Sequence, residues 1–540
     1  MQIAVRARTQ SLEVVICALL ASALASVAVV VVPAGGDLAA HLYRTALVQH
    51  GVLIWDNLWF AGQYPLSSYS LLYYPLAAVV GNAALGVIGA VAAAAIFASI
   101  AEREWLAAGR WPARVFAILV AGQVFTAAYP YDMGMAALLA AIWALQRRHA
   151  WLAALCVLLT LGFSPLAFLL LVLALTALWL RKRRIDRQAL TVAAAVALSA
   201  ALELVVLTVM PSPGLFYPYG TWRLLAGLAV AAVGVAVSFR GRGRWPLASI
   251  FIVWAAATIV ADVVPSPVGH NLIRASVFVP SLMLVGAALA DFRPRWLTIT
   301  AVAAAFAANV LPYTAMIAVR STSVDATAAF WRPVVKFLSA HNTPGFRIEV
   351  VPTANHWEAY YLPRAGFALA RGWYRQLDIA DDPALYAPTL TPAGYRAWLL
   401  ARGVHYVVLP HLALEAIDAA REASLVQTPA TGLRKVFVST SATVYKLRGA
   451  KPILIGPGKP TVTTFNSNEI AGRVTATGRY LLRVHFTPYW DARGPVCVAP
   501  AANDMTLVEA SRPGAFALQA IESPGGIVSS LLDAQNAQCP

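Results

Sequence analysis

Charged residues are scarce in this chain: Asp, Glu, Lys and Arg make up only 12% of its 540 residues, while hydrophobic residues make up 59%. Ordinary soluble domains carry about 25% charged residues. The mean hydropathy is +0.66. This composition excludes a soluble globular protein, and the long apolar runs predict several transmembrane helices.

The sequence also lacks the short motifs of metal, redox and nucleotide chemistry. It has four cysteines but no CxxC pair, no HExxH, no P-loop, and no GxGxxG that opens a helix after a strand. In enzymes driven by nucleotides, such glycine-rich turns hold the phosphates. Their absence argues against a cytosolic nucleotide-driven enzyme.

Eleven apolar runs alternate with short polar loops in the first 320 residues. They cover residues 11–33, 68–100, 114–129, 132–147, 150–163, 165–181, 188–210, 222–239, 246–263, 271–290 and 296–318. Several of the third to sixth are shorter than the roughly 20 residues of a full span, so we expect them to be tilted, broken or packed inside protein. The pattern predicts a polytopic α-helical membrane protein with about 11 transmembrane helices.

The charge of the loops predicts how these helices are oriented. Arg and Lys cluster in every second loop, for example at 181–187 and 240–244, whereas the other loops of this half contain only Arg44, Arg223 and Arg274. By the positive-inside rule the clustered side is cytoplasmic. The N-terminus, in an uncleaved first helix rather than a cleaved signal peptide, would then be cytoplasmic. Everything after about residue 318 would be extracytoplasmic. Because the basic residues follow the topology, the net charge of +16 does not indicate nucleic acid as a partner.

The pattern changes after residue 320. Helical and strand segments alternate over 325–448, which predicts an extracytoplasmic α/β domain. Short alternating strands separated by Gly and Pro turns over 450–540 predict a β-sandwich. Cys17 and Cys156 lie in apolar helices, whereas Cys497 and Cys539 lie in the exported β domain, where oxidising conditions favour a disulfide between them.

Residues 35–67, between the first two apolar runs, contain the first candidate site. Asp37 follows two glycines near the predicted outer surface, where a carboxylate can act as a general base or hold a divalent cation such as Mg²⁺ or Mn²⁺. It can equally be the N-cap of the helical run that follows. His41 and Arg44 continue the same helix face. Substrate binding is one interpretation of them, and an ordinary interfacial histidine is the alternative for His41.

Arg274 is the second candidate, because it enters an apolar helix directly after an outward loop. A guanidinium fork suits a lipid-linked phosphate, and His270 could assist it. The alternative is an arginine that extends its charged end to the membrane surface.

Two aromatic runs stand out in the predicted α/β domain, 355–361 and 370–378. They contain Trp357, Glu358 and Arg371, residue types that suit sugar binding. The same types are favoured at protein interfaces, so a contact with the membrane part is the alternative.

Several runs of the sequence resemble a known family. Gly-Asp-Leu-x-x-His-Leu-x-Arg (36–44), Trp-Phe-x-Gly-x-Tyr-Pro (59–65) and Tyr-Tyr-Pro-Leu (73–76) are similar to a bacterial membrane-protein group labelled as 6-pyruvoyl-tetrahydropterin-synthase-related. That group belongs to the GT-C-fold superfamily of membrane glycosyltransferases. HWEAYY (356–361) and LARGWYRQLD (369–378) resemble uncharacterised actinobacterial members.

The resemblance implies a polyprenyl-phosphate sugar donor, transfer on the outer face, and a first-loop Asp as base or metal ligand. Asp37 matches that acid, Arg274 could match a basic phosphate-binding residue, and Asp132 is the available second carboxylate for a metal. The expected function is transfer of a sugar to a cell-envelope glycan or lipid acceptor at the bilayer. The alternative is a non-enzymatic transporter, flippase or scaffold for envelope glycan precursors.

Overall fold

The computed structural model describes residues 2–31, 36–67, 69–180, 186–211, 219–239, 245–290, 295–320, 323–416, 418–523, 525 and 539. The basic clusters at 181–184 and 240–244 therefore lie outside the described residues. The chain forms two compact units: Met1–Leu38, Tyr69–Val209 and Gly214–Thr322 make the first, and Ala39–Ser68, Met210–Pro213 and Ser323–Pro540 make the second.

The α-helices follow one another as α1 (Gln2–Val31), α2 (Leu38–Gln49), α3 (Tyr73–Val80), α4 (Asn82–Trp105), α5 (Arg110–Gln123), α6 (Tyr129–Gln146), α7 (Ala150–Phe163), α8 (Pro165–Trp179), α9 (Arg187–Val209), α10 (Thr221–Phe239), α11 (Trp245–Val263), α12 (Val279–Ala290), α13 (Arg295–Arg320), α14 (Ala328–His341), α15 (Glu358–Arg364), α16 (Arg375–Asp381), α17 (Pro392–Ala401) and α18 (Ala419–Val426). Short 3₁₀ helices cover Leu106–Gly109, Val124–Thr126, Val324–Ala326, Pro383–Tyr386, Pro429–Thr431 and Ala502–Asp504, and a longer one covers Gly269–Phe278.

The strands are β1 (Arg347–Val350), β2 (Val404–Pro410), β3 (Leu433–Val438), β4 (Ala442–Leu447), β5 (Leu454–Ile455), β6 (Thr461–Phe465), β7 (Glu469–Val474), β8 (Gly478–His485), β9 (Trp490–Arg493), β10 (Val496–Pro500), β11 (Met505–Ala510) and β12 (Gly514–Ala520).

The first unit is helical throughout its described part. Six of its helical stretches are long and apolar enough to cross a membrane: Leu12–Val30, Asn82–Thr126, Arg187–Val209, Thr221–Ser238, Gly269–Leu289 and Arg295–Thr314. Ala150–Phe163, Pro165–Trp179 and Leu247–Val263 are apolar but shorter. Among the described residues, six stretches are thus supported by length and composition, and the count of about eleven expected from the sequence is not confirmed.

Small residues set the packing inside this unit. A Cβ atom at Gly89 of α4 would lie 3.2 Å from the backbone of Asp132 in α6. The two helices can approach this closely because glycine leaves the space free, as small residues do in membrane helix pairs. The contact lies in the first turn of α6, which begins at Tyr129 rather than at Asp132 as expected from the sequence.

The α/β part of the second unit is built on a four-stranded sheet with the order β1-β2-β4-β3. β1 and β2 are parallel, and the other pairs are antiparallel. Leu369 forms a further parallel bridge with Ile348 on the free side of β1. α17 and α18 contribute Leu399 and Val426 to the hydrophobic core of this part.

The C-terminal part contains two four-stranded antiparallel sheets, with the orders β10-β11-β8-β5 and β6-β7-β12-β9. Buried and more exposed residues alternate along β8, β11 and β12, the pattern of sheets that bury one face. Cys497 in β10 forms a disulfide with Cys539, with the two Cα atoms 5.0 Å apart.

Residues 39–68, an outer loop of the predicted transmembrane domain, are grouped with this second compact unit. Asn57 N donates to Ser467 O at 2.7 Å, and Leu369 N donates to Leu58 O at 2.8 Å. The backbone amides of Leu53 and Ile54 both donate to Glu522 Oε2 at 2.7 Å. The segment thus hydrogen-bonds to both the α/β part and the β part.

Candidate functional site

The first unit brings together two residues that the sequence places 237 positions apart. Nη2 of Arg274 lies 3.3 Å from Oδ2 of Asp37. The side chains keep 23% and 21% of their surface exposed, respectively, so both groups can be reached by a ligand. Asp37 stands directly before α2, and Arg274 lies in the middle of the Gly269–Phe278 3₁₀ helix.

Aromatic and acidic groups surround this ion pair. The guanidinium carbon of Arg274 lies 5.7 Å from the ring centroid of Tyr131, and Tyr69 and Asp132 also interact with it electrostatically. The Asp132 side chain is fully buried, and neither of its oxygens has a hydrogen-bond partner among the described residues. The site therefore holds two carboxylates against one guanidinium.

Two side-chain amides fix the backbone that carries Arg274. Nε2 of Gln123 donates to the carbonyl of Arg274 at 3.1 Å. Asn309 accepts from Ser276 Oγ at 2.8 Å and donates to the Ser276 carbonyl at 3.3 Å. A ten-residue 3₁₀ helix is unusually long, since most such runs end after three or four residues. We infer that these amides help to maintain it.

His41 and Arg44 are interior residues. Both lie in the second unit, and both are fully buried. Arg44 donates to the carbonyl of Pro65 at 2.7 Å and lies 4.4 Å from the ring centroid of Tyr374. His41 is 3.1 Å from the hydroxyl of Tyr374. These contacts are typical of interior residues, and substrate binding by His41 and Arg44 stays a prediction. His270 is partly buried in the same 3₁₀ helix as Arg274.

The ion pair bears on the prediction of a divalent cation at Asp37. The Asp37 carboxylate is already paired with a guanidinium, and a metal ion would compete with that positive charge. Across the described ranges, no three His, Cys, Asp or Glu side chains are grouped to hold a metal. Asp37 and Asp132, the residues predicted to hold a metal, are therefore not joined by a third such side chain among the described residues.

The second unit contains another cluster of charged residues, centred on Arg371. Its guanidinium contacts Glu349 at 2.7 Å, Glu422 at 2.6 Å and Asp378 at 3.4 Å. Burial raises the pKa of the Glu349 and Asp378 carboxyls. Burial opposes the positive charge of Arg371, but the three carboxylates outweigh this and raise its pKa.

Trp357 and Glu358, the other sugar-binding candidates, are interior residues of this unit. Both are about 95% buried. Oγ1 of Thr353 donates to Glu358 at 2.8 Å, and burial raises the pKa of the Glu358 carboxyl to about 7. Of these three residues, only Arg371 lines a small cavity, together with Trp373 and Asp378.

Sequence reasoning missed several residues near both sites. Tyr69 and Tyr131 surround Arg274, and the outward Tyr-Pro-Tyr-Asp loop at 129–132 was the only signal that could have indicated Tyr131. Glu349 and Glu422 lie in a strand and a helix without a motif, so nothing in the sequence connects them with Arg371.

Comparisons with known proteins leave the assignment open. No protein-family model matches the chain, and no curated protein matches it. Among solved structures, the chain is similar to the arabinofuranosyltransferase AftD from Mycobacteria, determined by single-particle cryo-EM. The identity is 16% and the TM-score 0.44, over 84% of this chain and 40% of that one. The chain spans about two fifths of the length of that structure, and a likeness at this level carries no argument about function.

Proposed function

We propose that the protein is a GT-C-type membrane glycosyltransferase that moves a sugar from a polyprenyl-phosphate donor to a cell-envelope acceptor on the outer face of the plasma membrane. The observation that carries this proposal is the contact between Asp37 and Arg274. The sequence had suggested these two residues separately, as a base and as a phosphate ligand.

The ion pair supports a simple order of events. Without substrate, the guanidinium of Arg274 neutralises Asp37. A donor phosphate is a better bidentate partner for the guanidinium fork than a single carboxylate oxygen at 3.3 Å. Binding of the donor therefore frees the Asp37 carboxylate to accept a proton.

The chemical step is an inverting substitution. Asp37 takes the proton of an acceptor hydroxyl while that oxygen attacks the anomeric carbon. The bond between the anomeric carbon and the phosphate oxygen breaks, and the phosphate leaves with the electron pair. Arg274 stabilises the charge that develops on the leaving phosphate. No metal ion is needed for this scheme.

The test compares lipid-linked sugars and envelope glycans by mass spectrometry in cells that carry the wild-type protein, a deletion, Asp37→Asn, Arg274→Lys or Arg274→Gln. General-base catalysis contributes about 10² to 10⁴-fold, so Asp37→Asn should lose at least about a hundredfold of transfer. Arg274→Lys keeps the charge but not the fork, and should retain more activity than Arg274→Gln.

Asp262→Asn and Arg223→Gln are the matched controls, because they make the same chemical changes in the first unit away from the ion pair. Both should behave as wild type. An Asp37→Asn protein that is expressed and fully active overturns the mechanism. If only the deletion changes the glycans, the transporter or scaffold alternative is favoured.

A further inference from the structure

Every exposed charged side chain in the α/β part is basic. Over the described residues of 323–451 these side chains are Arg332, Lys336, Arg364, Arg434, Lys435, Lys446, Arg448 and Lys451. The nine acidic residues of the same range are all buried or half-buried. Eight of them contact interior basic side chains, namely Arg371, Arg375, Arg402, Arg421 and His356. The carboxylates therefore neutralise the interior, and the surface of this part is left with charge of one sign.

Two strands place some of this charge on one face of the sheet. Arg434 of β3 stands directly opposite Lys446 of β4, and Lys446 stands opposite Tyr406 of β2. Nζ of Lys446 lies 5.9 Å from the ring centroid of Tyr406. The ring of Phe337 in α14 packs edge-on against the same tyrosine, with the centroids 5.5 Å apart. Because directly opposite residues share a face, α14 covers the face from which Arg434 and Lys446 project.

Helix α14 adds two more cations beside this pair. Arg332 and Lys336 are both exposed, while the helix buries its other side. Residues four positions apart lie on the same face of a helix, so the two charges are neighbours. Arg332, Lys336, Arg434 and Lys446 together form what we name the basic face.

The facing charges of the two strands are unfavourable in the isolated protein. Like charges directly opposite each other in an antiparallel pair repel and destabilise the sheet. None of the ion pairs that the described residues of the α/β part form includes Arg434 or Lys446. A partner that carries negative charge would relieve this repulsion.

The chain itself keeps α14 close to a bilayer surface. Arg295–Thr314 is long and apolar enough to cross a membrane, and the helix that contains it, α13, ends at Arg320, whereas α14 begins at Ala328. Seven residues lie between the two helices, and such a connection spans at most about 29 Å when fully extended. Anionic phospholipids attract basic segments that adjoin a membrane helix. Lipid headgroups are therefore favoured over a soluble anionic polymer as the partner.

We propose that the basic face binds the phosphate groups of anionic phospholipids at the membrane surface. The proposal goes beyond glycosyl transfer and does not depend on it, because it needs only a bilayer next to the chain. The attraction is between exposed charges, so salt screens it. The Debye length falls from about 8 Å at physiological ionic strength to about 3 Å at 1 M.

Lysine acetylation read by mass spectrometry tests the proposal on the purified full-length protein. The protein is reconstituted in nanodiscs of phosphatidylcholine alone, or of phosphatidylcholine and phosphatidylglycerol in equal parts. We expect the anionic lipid to slow the acetylation of Lys336 and Lys446 about fivefold, because one basic side chain near an anionic surface is attracted by about this factor. Salt at about 1 M should remove the effect.

The same chain supplies a matched control lysine. Lys435 is exposed but stands opposite Tyr445, so it projects from the other face of the sheet than Arg434, and its acetylation should not change. Arg434→Gln should remove about half of the slowing at Lys446, whereas Arg364→Gln, an exposed change on α15, should not affect it. Arg434→Gln also removes a like-charge repulsion, so the variant should fold.

Each outcome decides the proposal. Slowing that is confined to Lys336 and Lys446, and that salt and Arg434→Gln diminish, supports it. Equal rates in the two kinds of nanodisc, or slowing of Lys435 to the same extent as Lys446, overturns it. Dextran sulfate added to the phosphatidylcholine nanodiscs identifies the source of the anion. If this soluble polyanion slows Lys446 and phosphatidylglycerol does not, the partner is a soluble polymer and membrane binding by the basic face is wrong.

Discussion

Glu358 shows how burial sets the charge of one side chain. It is packed inside the second unit with Thr353 donating to it and Nδ1 of His356 3.3 Å from it. Burial raises the pKa of this carboxyl from 4.5 to about 7. Between these pH values the carboxyl is therefore protonated in the folded state and ionised in the unfolded state. The stability that this proton contributes is present below pH 4.5 and is lost as the pH rises to 7.

We therefore predict that Glu358→Gln changes the pH dependence of unfolding. The variant keeps a neutral side chain of the same shape, so its melting temperature relative to wild type should rise between pH 5 and pH 8. At high pH the free energy of unfolding of the variant should exceed that of the wild type by at most about 3 kcal/mol, since each unit of pKa shift corresponds to about 1.36 kcal/mol. Thermal unfolding of the full-length protein at several pH values measures it, with Glu509→Gln as the exposed control. A difference that does not depend on pH would contradict this account.

Gly62 carries a second prediction at the scale of single residues. Its φ is +117°, and a Cβ atom there would collide with the indole of Trp55. Gly51 has a φ of +76° but open space around it. Gly51→Ala should therefore cost only the backbone strain of about 1 kcal/mol, whereas Gly62→Ala should cost at least about 2 kcal/mol more through overpacking. Denaturant unfolding of both variants tests this, and equal losses would show that the indole can move aside.

The 3₁₀ helix at Gly269–Phe278 is the element on which the position of Arg274 depends. An α-helix rises about 1.5 Å and turns 100° per residue, whereas a 3₁₀ helix rises about 2.0 Å and turns 120°. If the segment became α-helical up to Val279, Arg274 would turn by about 100° around the axis over five residues and lose its contact with Asp37.

Removing an amide that holds this segment should therefore impair the site from a distance. We predict that Asn309→Leu, which deletes the contacts with Ser276, lowers transfer by about tenfold, equivalent to about 1.4 kcal/mol. Thr314→Val in the same helix is the control, because Thr314 bonds only to its own helix at Leu311. The activity assay of the Asp37 variants measures the effect. A wild-type rate for Asn309→Leu would show that the 3₁₀ helix does not depend on this amide.

At the scale of elements, the sequence predicts what depends on local periodicity. The apolar runs at 188–210, 222–239 and 246–263 match α9, α10 and α11 within one or two residues. Each of these helices is apolar along its whole length, so the run of apolar residues marks both of its ends. The run 68–100 was predicted as one helix but is divided at Gly81, whose φ of +94° ends α3. A single glycine inside an apolar run gives no indication that its φ will be positive.

Long-range packing is the part that sequence reasoning could not supply. The spacing of His41 and Arg44 predicts that they share a helix face, but it gives no indication that both contact Tyr374, more than 300 residues along the chain. Asp37 and Arg274 were identified separately from loop position and charge, and only the fold brings them within 3.3 Å. Local chemistry therefore identified the types of residue, while tertiary contacts determined which of them meet.

For the whole molecule, the pairing of the four cysteines bears on the predicted topology. Cys17 and Cys156 are free and buried in the first unit, whereas Cys497 and Cys539 form a disulfide across 42 positions. Closing a loop of this length stabilises the folded state by up to about 4 kcal/mol through the entropy of the unfolded chain. Disulfides persist on the oxidising side of the membrane, so the extracytoplasmic location of the C-terminal part, which the positive-inside rule predicts, remains a prediction that this bond makes testable.

Thiol counting in whole cells tests this topology. Cells are lysed directly into denaturant with a maleimide-linked polyethylene glycol, with or without prior reduction, and the size of the protein is read on a gel. We predict two modified thiols without reduction and four after it. In a Cys497→Ser variant without reduction, three thiols should be modified if Cys539 stays free, and two if Cys539 pairs with another thiol. In either case the β part of the variant should be more sensitive to protease than that of the wild type. Four modified thiols in the unreduced wild type would place the C-terminal part in a reducing compartment, which would contradict the predicted topology.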